Sequence, residues 1–121
     1  KMMAFSNTNP ARLLRSTGLL TIIPDNLHMD DKGRLVTAGL DLNDPVCGDI
    51  PLAGEFDFPG FMACHRPFTV LAVDPETMQP EVLAHSLAHP NFSNITMAVQ
   101  VGSELWVGTF AGDRIAYREL D

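Results

Sequence analysis

Short apolar segments separated by turn residues run along the chain, and this pattern predicts an all-β fold without helices. The clearest strand is Phe68–Val73, which reads Phe-Thr-Val-Leu-Ala-Val, because β-branched and aromatic residues favour sheets. Asp31-Lys32-Gly33 is expected to form a hairpin turn, since glycine adopts positive φ without steric cost. The other predicted strands are residues 19–23, 27–30, 34–40, 81–85, 95–101, 104–110 and 114–120.

Two regions lack this alternation. Residues 1–18 are expected to be a loop or the remnant of a strand. Residues 41–61 contain three prolines and three glycines, which predicts an irregular loop. A loop of this length in a compact domain is usually functional or disordered, and its phenylalanines suggest that it packs against another part of the protein.

An internal repeat distinguishes between all-β architectures. Asn26-Leu27-His28-Met29 is echoed by Asn94-Ile95-Thr96-Met97 at an offset of 94 − 26 = 68, and residues 34–36 are echoed by residues 104–106 at an offset of 70. Repeated four-stranded units are typical of β-propeller blades, whereas a sandwich would explain the strands but not the repeat. Since propellers need about four to eight blades, we expect either part of a longer protein or self-association at an open edge, and we favour the first.

Composition excludes several classes of function. The net charge of −7 disfavours nucleic-acid binding, because an acidic surface repels phosphate. No apolar run approaches the roughly 20 residues of a membrane-spanning helix. Sixteen residues separate Cys47 from Cys64, which is not a zinc-binding spacing, and the pair could form a disulfide or remain as two thiols.

Asp25 and Asn26 are the candidate metal ligands. They lie where the chain enters a strand, and carboxylate and amide oxygens are the ligands that calcium prefers. From the residues alone an Asx-turn is the stronger interpretation, because a two-residue motif specifies a site only loosely. His28, two residues after Asn26, could line the same cavity, but a packed strand histidine is the more common role.

Three segments, taken in order, carry a family resemblance. The first is Pro24-Asp25-Asn26-Leu27-His28-Met29-Asp30, followed by Gly33-Arg34-Leu35-Val36-Thr37-Ala38-Gly39; the second is Val70-Leu71-Ala72-Val73-Asp74-Pro75 with Glu81-Val82-Leu83; the third is residues 102–116. They resemble, respectively, a penultimate-blade motif, the later strands of that blade and the last blade of the superfamily of gluconolactonase (SMP-30), paraoxonase (arylesterase) and strictosidine-synthase-like proteins. The resemblance covers roughly residues 19–120, in the family's order.

The resemblance implies antiparallel four-stranded blades, here the C-terminal two blades of a six-bladed propeller. Residues 1–23 would end the preceding blade, residues 24–90 would form the penultimate blade and residues 91–121 an incomplete last blade. Such propellers hold a catalytic Ca²⁺, or another divalent cation, that polarises a lactone or ester carbonyl and activates water. Asp25 and Asn26 match its ligands, Asp25 being the safer assignment.

The remaining ligands and the catalytic base are expected upstream of this chain, so the isolated chain should be inactive. Many relatives place a histidine after the second strand of this blade, but the sequence here is Gly39-Leu40-Asp41, which leaves the base unassigned. The alternative is a non-catalytic or strictosidine-synthase-like propeller that serves as a binding scaffold. The compartment cannot be read from the residues.

Overall fold

The computed structural model describes residues 1–121 and is built mostly of antiparallel β-sheet. It contains three sheets, and within each sheet the strands are adjacent in chain order. The strands are β1 (Met3–Phe5), β2 (Leu13–Ser16), β3 (Ile22–Met29), β4 (Leu35–Asp41), β5 (Phe68–Val73), β6 (Pro80–Ser86), β7 (Ile95–Val101), β8 (Glu104–Thr109) and β9 (Ile115–Glu119). The predicted all-β antiparallel class is confirmed. No helix is long and apolar enough to cross a membrane.

The N-terminal region is more regular than predicted. Residues 1–18 contain the hairpin β1–β2, which forms a two-stranded sheet of its own. The expectation that residue 24 ends a strand was wrong, because β3 continues from Ile22 through Pro24 to Met29. Proline is tolerated there because β3 is an edge strand and Pro24 adjoins a bulge.

The expectation of no helix was also wrong. A single helix, α1 (Phe58–Ala63), lies between β4 and β5 in the segment predicted to be irregular. The Asp57 side chain accepts a hydrogen bond from the Gly60 N–H at 3.1 Å, and Pro59 occupies the first turn, where its missing N–H costs nothing. Capping by Asp57 therefore stabilises a helical turn that the sequence pattern did not predict, because its residues lack the apolar periodicity of a helix.

The main hydrophobic core lies between the four-stranded sheet β3–β6 and the three-stranded sheet β7–β9. Alternate residues of neighbouring strands face this layer, as the pleat of a strand requires. The buried members are Val36, Ala38, Phe68, Val70, Ala72, Ile95, Ala98, Leu105 and Val107. A smaller cluster consists of Leu20, Ile22 and Leu71, with Met2 packed against it. It connects the β1–β2 hairpin to the face of the four-stranded sheet that points away from the main core.

The hairpin β3–β4 of the four-stranded sheet and the hairpin β7–β8 of the three-stranded sheet pair their strands in the same register. Each first strand carries a bulge of one extra residue at the same place. The equivalent pairs are Pro24–Gly39 with Ile95–Thr109, and Leu27–Thr37 with Ala98–Val107. The first strands are therefore offset by 95 − 24 = 71 residues and the second strands by 109 − 39 = 70.

These offsets correct the sequence alignment of the repeat. Asn26 corresponds in register to Met97 rather than to Asn94. The sequence offsets of 68 and 70 imply a turn two residues longer in the second hairpin, whereas the paired offsets of 71 and 70 make that turn one residue shorter. Strand alternation turns Trp106 to the outer face of the three-stranded sheet, where it stacks on Tyr117 with ring centroids 4.8 Å apart.

Candidate functional site

All long connections of the two larger sheets leave from one end, which we call the loop end. The start of β3 lies there, because Ile22 pairs with Asp41 at the end of β4. The long connections are residues 42–67 and 87–94, and the short connection 110–114 leaves from the same end; the opposite end has the short turns 30–34, 74–79 and 102–103. Binding residues are commonly carried on loops that a rigid scaffold positions, so the loop end is the candidate site.

Asp25 and Asn26 form the bulge in the middle of β3. The two residues together stand opposite Ala38, because the register jumps from Pro24–Gly39 to Leu27–Thr37. Gly39 permits this geometry: a Cβ at Gly39 would overlap the main-chain carbonyl of Ile23. Bulges of this kind commonly re-aim side chains next to active sites.

The side chain of Asn26 is oriented by the neighbouring sheet. Its Nδ2 donates a hydrogen bond of 3.2 Å to the main-chain oxygen of Thr96 in β7. Because the amide nitrogen is engaged there, Oδ1 is the oxygen left to contact a ligand. Asn26 thus links the first strands of the two larger sheets.

Asp25 lies on the surface beside a groove of about 260 Å³ between the β1–β2 hairpin and the four-stranded sheet. Its carboxylate takes part in none of the salt bridges of the chain. An exposed, unpaired carboxylate keeps its charge available for a cation. Met2 and Leu27 also line this groove and give it an apolar wall.

As a donor set, Asp25 and Asn26 fit part of a calcium site. Both offer hard oxygen atoms, but Ca²⁺ takes about six to eight oxygen ligands. Nowhere in the chain do three or more histidine, cysteine, aspartate or glutamate side chains come together in a metal-binding arrangement. Within this chain, Asp25 and Asn26 therefore supply only part of such a ligand set.

A disulfide constrains the largest connection at the loop end. Cys47 and Cys64, left open by the sequence, are joined with their Cα atoms 5.8 Å apart. Arg66 is buried beneath this loop and donates to the main-chain oxygens of Cys47 at 3.0 Å and Asp41 at 3.4 Å. Asp44, also buried, accepts the N–H of Cys47 at 2.6 Å. These contacts tie the base of the loop to β4.

The same loop carries an aromatic cluster of Phe56, Phe58 and Phe61. Their ring centroids are 5.1 to 6.4 Å apart. Phe56 and Phe58 remain 45% and 58% exposed, so the cluster presents apolar surface to solvent at the loop end. Aromatic rings in this arrangement can contact an apolar ligand.

The structure connects two histidines to polar partners that the sequence did not indicate. His85 Nε2 lies 2.9 Å from Asp41 Oδ2, and the Thr69 hydroxyl donates to the other oxygen of Asp41 at 2.7 Å. His65 Nδ1 lies 2.8 Å from the hydroxyl of Ser93. Separations of 44 and 28 residues leave no local signal for either contact.

The other two histidines have local surroundings. His28 is half-buried in β3, and His89 accepts the N–H of Asn91 at 3.1 Å in the connection before β7. His85 lies on a strand and His89 beyond its end, so their four-residue spacing does not place them one helical turn apart.

The turn at the opposite end is held by Asp30. Burial acts to raise the pKa of Asp30, but the N–H, the guanidinium and the positive charge of Arg34, together with the Lys32 N–H, lower it below its usual range. The carboxylate accepts from Lys32 N at 3.0 Å, from Arg34 N at 2.8 Å and from Arg34 Nε at 2.8 Å. This network is structural, because it lies away from the loop end.

No protein family, no curated protein and no solved structure matches this chain.

Proposed function

We propose that this chain forms the last two blades of a six-bladed β-propeller and supplies two ligands, Asp25 and Asn26, to a Ca²⁺ ion in a hydrolase of lactones or of carboxylic and aryl esters. The observation that carries the proposal is the repeated register of the two hairpins, with a bulge at the same position in each first strand. Face-to-face packing of antiparallel sheets in chain order is the arrangement that successive blades adopt.

Apolar surface at both ends of the stack of sheets supports the presence of further blades. On the outer face of the three-stranded sheet, Ile115 and Tyr117 are 68% and 60% exposed. On the β1–β2 hairpin, Phe5 and Leu13 are 52% and 56% exposed. Contiguous apolar surface of this kind marks an interface, and additional blades would cover it.

In such a site the residues of this chain have distinct tasks. Asp25 contributes the negative charge that favours a divalent cation, and Asn26 contributes a neutral oxygen whose direction is held by the Thr96 carbonyl. Gly39 permits the backbone geometry of the bulge that carries both donors. When bound, the cation supplies Lewis acidity toward an ester or lactone carbonyl and activates water.

The aromatic cluster favours substrates with an apolar acyl or aryl part. Phe56, Phe58 and Phe61 lie on the connection that follows β4, the strand opposite the donor bulge. Burial of apolar substrate surface against such rings contributes about 25 cal/mol per Å².

A binding scaffold without catalysis is the second candidate. It is favoured by the observation that this chain nowhere gathers three or more histidine, cysteine or carboxylate side chains in a metal-binding arrangement. Since a fold alone does not fix function, metal binding and hydrolysis must be measured separately.

Calcium titration of the complete protein tests the proposal. The melting temperature should rise with Ca²⁺ by mass action, and Asp25→Asn should remove that rise together with hydrolysis of a γ-lactone or phenyl acetate. Asp31→Asn is the matched control, because Asp31 is an exposed carboxylate in the turn at the opposite end. A calcium-dependent rise in both variants would refute the role of Asp25, and calcium binding without hydrolysis would favour the scaffold.

A further inference from the structure

A cavity of about 370 Å³ lies within the disulfide-closed part of the connection between β4 and β5. The residues that line it come from the loop closed by Cys47 and Cys64, and from Arg66 just beyond that loop. Its volume falls within the roughly 300–1,000 Å³ of small-molecule sites. Neither Asp25 nor Asn26 lines this cavity, so it is separate from the candidate calcium ligands.

Arg66 brings a buried and unpaired positive charge to this cavity. The residue is only 3% exposed and forms no salt bridge with any carboxylate of the chain. Its Nη1 and Nη2 donate to the main-chain oxygens of Asp41 and Cys47, whereas its Nε, which is also buried, has no hydrogen-bond partner. Because a buried charge is costly unless it is paired and hydrogen-bonded, Arg66 is suited to receive an anionic group.

The carboxylates of the same loop do not supply the missing counter-ion. Asp44 is buried, but one of its oxygens accepts two main-chain N–H groups of its own turn, at 2.6 and 3.1 Å. Asp57 accepts a main-chain N–H at the start of α1. Asp49 and Glu55 are exposed, and neither forms a salt bridge. The pairing capacity of Arg66 is therefore left for a ligand.

Three exposed carboxylates line the same cavity as Arg66, and we call them the rim carboxylates. They belong to Asp49, Glu55 and Asp57. A simple anion would pair with Arg66 but would be repelled by the rim carboxylates, whereas a simple cation would leave Arg66 unpaired. The charges that line the cavity therefore fit a ligand that carries both signs.

Two phenylalanine rings give the cavity an apolar wall. Phe56 and Phe61 both line it, with ring centroids 5.1 Å apart. The guanidinium carbon of Arg66 lies 5.9 Å from the centroid of the Phe61 ring, so the wall adjoins the positive charge. The third ring of the cluster, Phe58, does not line the cavity. The wall can bury an apolar part of a ligand beside its charged groups.

We infer that this cavity binds a zwitterionic α-amino acid with an apolar or aromatic side chain. The carboxylate of the ligand accepts from the Nε side of Arg66, where a guanidinium can donate two parallel hydrogen bonds. Its ammonium group lies toward the rim carboxylates, and its side chain packs against the two rings of the wall. The inference depends on neither the calcium site nor hydrolysis.

Titration calorimetry of the complete protein with three related compounds tests the inference. L-Phenylalanine should bind saturably with one equivalent, whereas 3-phenylpropionate lacks the ammonium group and phenethylamine lacks the carboxylate. Each of these two should bind at least about tenfold more weakly, because it leaves one set of charges unpaired. Either compound binding as tightly as L-phenylalanine, or no saturable binding of L-phenylalanine up to about 10 mM, would overturn the inference.

Two variants locate the site and a third separates it from the calcium proposal. Arg66→Lys keeps the charge but loses the planar fork, so the affinity for L-phenylalanine should fall about tenfold or more. Asp49→Asn alters an exposed side chain and should lower it by about threefold even if Arg66→Lys fails to fold, whereas the remote Asp31→Asn should leave it unchanged. Asp25→Asn should also bind L-phenylalanine like wild type. Unchanged affinity in folded Asp49→Asn would overturn the inference.

Discussion

Replacing Asp30 with asparagine should destabilise the chain at neutral pH and leave the loop end unchanged. The Asp30 side chain is fully buried and accepts three hydrogen bonds, from Lys32 N, Arg34 N and Arg34 Nε. Asparagine has a similar shape, but its amide nitrogen must face one of these donors. The substitution therefore removes the negative charge and leaves at least one donor unpaired.

The expected cost at pH 7 is about 1–2 kcal/mol of unfolding free energy. Hydrogen bonds to charged groups contribute about 1.5–3 kcal/mol each, but asparagine keeps one acceptor oxygen, and Arg34 is partly exposed, so that solvent screens its charge and favours the lower end. Urea unfolding followed by circular dichroism measures this difference. Asp31→Asn, at the exposed neighbouring position, should cost less than about 0.5 kcal/mol.

The pH dependence has a definite sign. The pKa of Asp30 is lowered in the folded state below its ordinary value of 3.8, so its stabilisation is present above about pH 4 and is lost as the pH falls through the folded pKa. The difference between wild type and Asp30→Asn should therefore shrink as the pH is lowered below 4. A gap that widens on acidification, or a variant as stable as wild type at pH 7, would refute the role given to this carboxylate.

Three further predictions concern the candidate site and the core. Asn26→Asp should weaken Ca²⁺ binding by the complete protein despite the added charge. The substitution replaces the amide nitrogen with an oxygen that faces the main-chain carbonyl of Thr96, so the hydrogen bond that orients the side chain is lost. Tighter Ca²⁺ binding, measured by calorimetry, would contradict this orientation. Replacing Cys47 and Cys64 with serine should lower stability in urea by about 3 kcal/mol, and an unchanged midpoint would refute a closed disulfide. Leu105→Ala should cost about 2–5 kcal/mol and exceed the cost of Trp106→Ala, because only the leucine lies in the core; the reverse order would contradict the packing.

The strands that alternate strongly could be predicted from local sequence alone. Phe68–Val73 and Ile95–Val101 begin and end where the residues indicated, because β-branched side chains and flanking turn residues act over short range. The tight turn at Gly33 follows from the same chemistry, since its φ of 75° suits glycine. Asp25 and Asn26 could be singled out by residue type, although calcium binding there remains a prediction.

Elements that depend on contacts between distant segments could not be read in this way. The bulge at Asp25–Asn26 exists because of pairing with β4, and the alignment of the repeat by residue identity missed it, since register is a property of two strands. The Asp41–His85 contact joins residues 44 positions apart, and the disulfide needed two cysteines brought within reach by the folded loop.

Local residue preference therefore determined most strands of the two larger sheets and which side chains carry oxygen donors. The tertiary structure alone decided where those donors point and which strand edge stays open. Side-chain direction follows the pairing register and the packing of one sheet on another, which fixed the hydrogen bond from Asn26 to Thr96 and left β9 without a neighbour. Both are set by long-range geometry, which no short stretch of sequence contains.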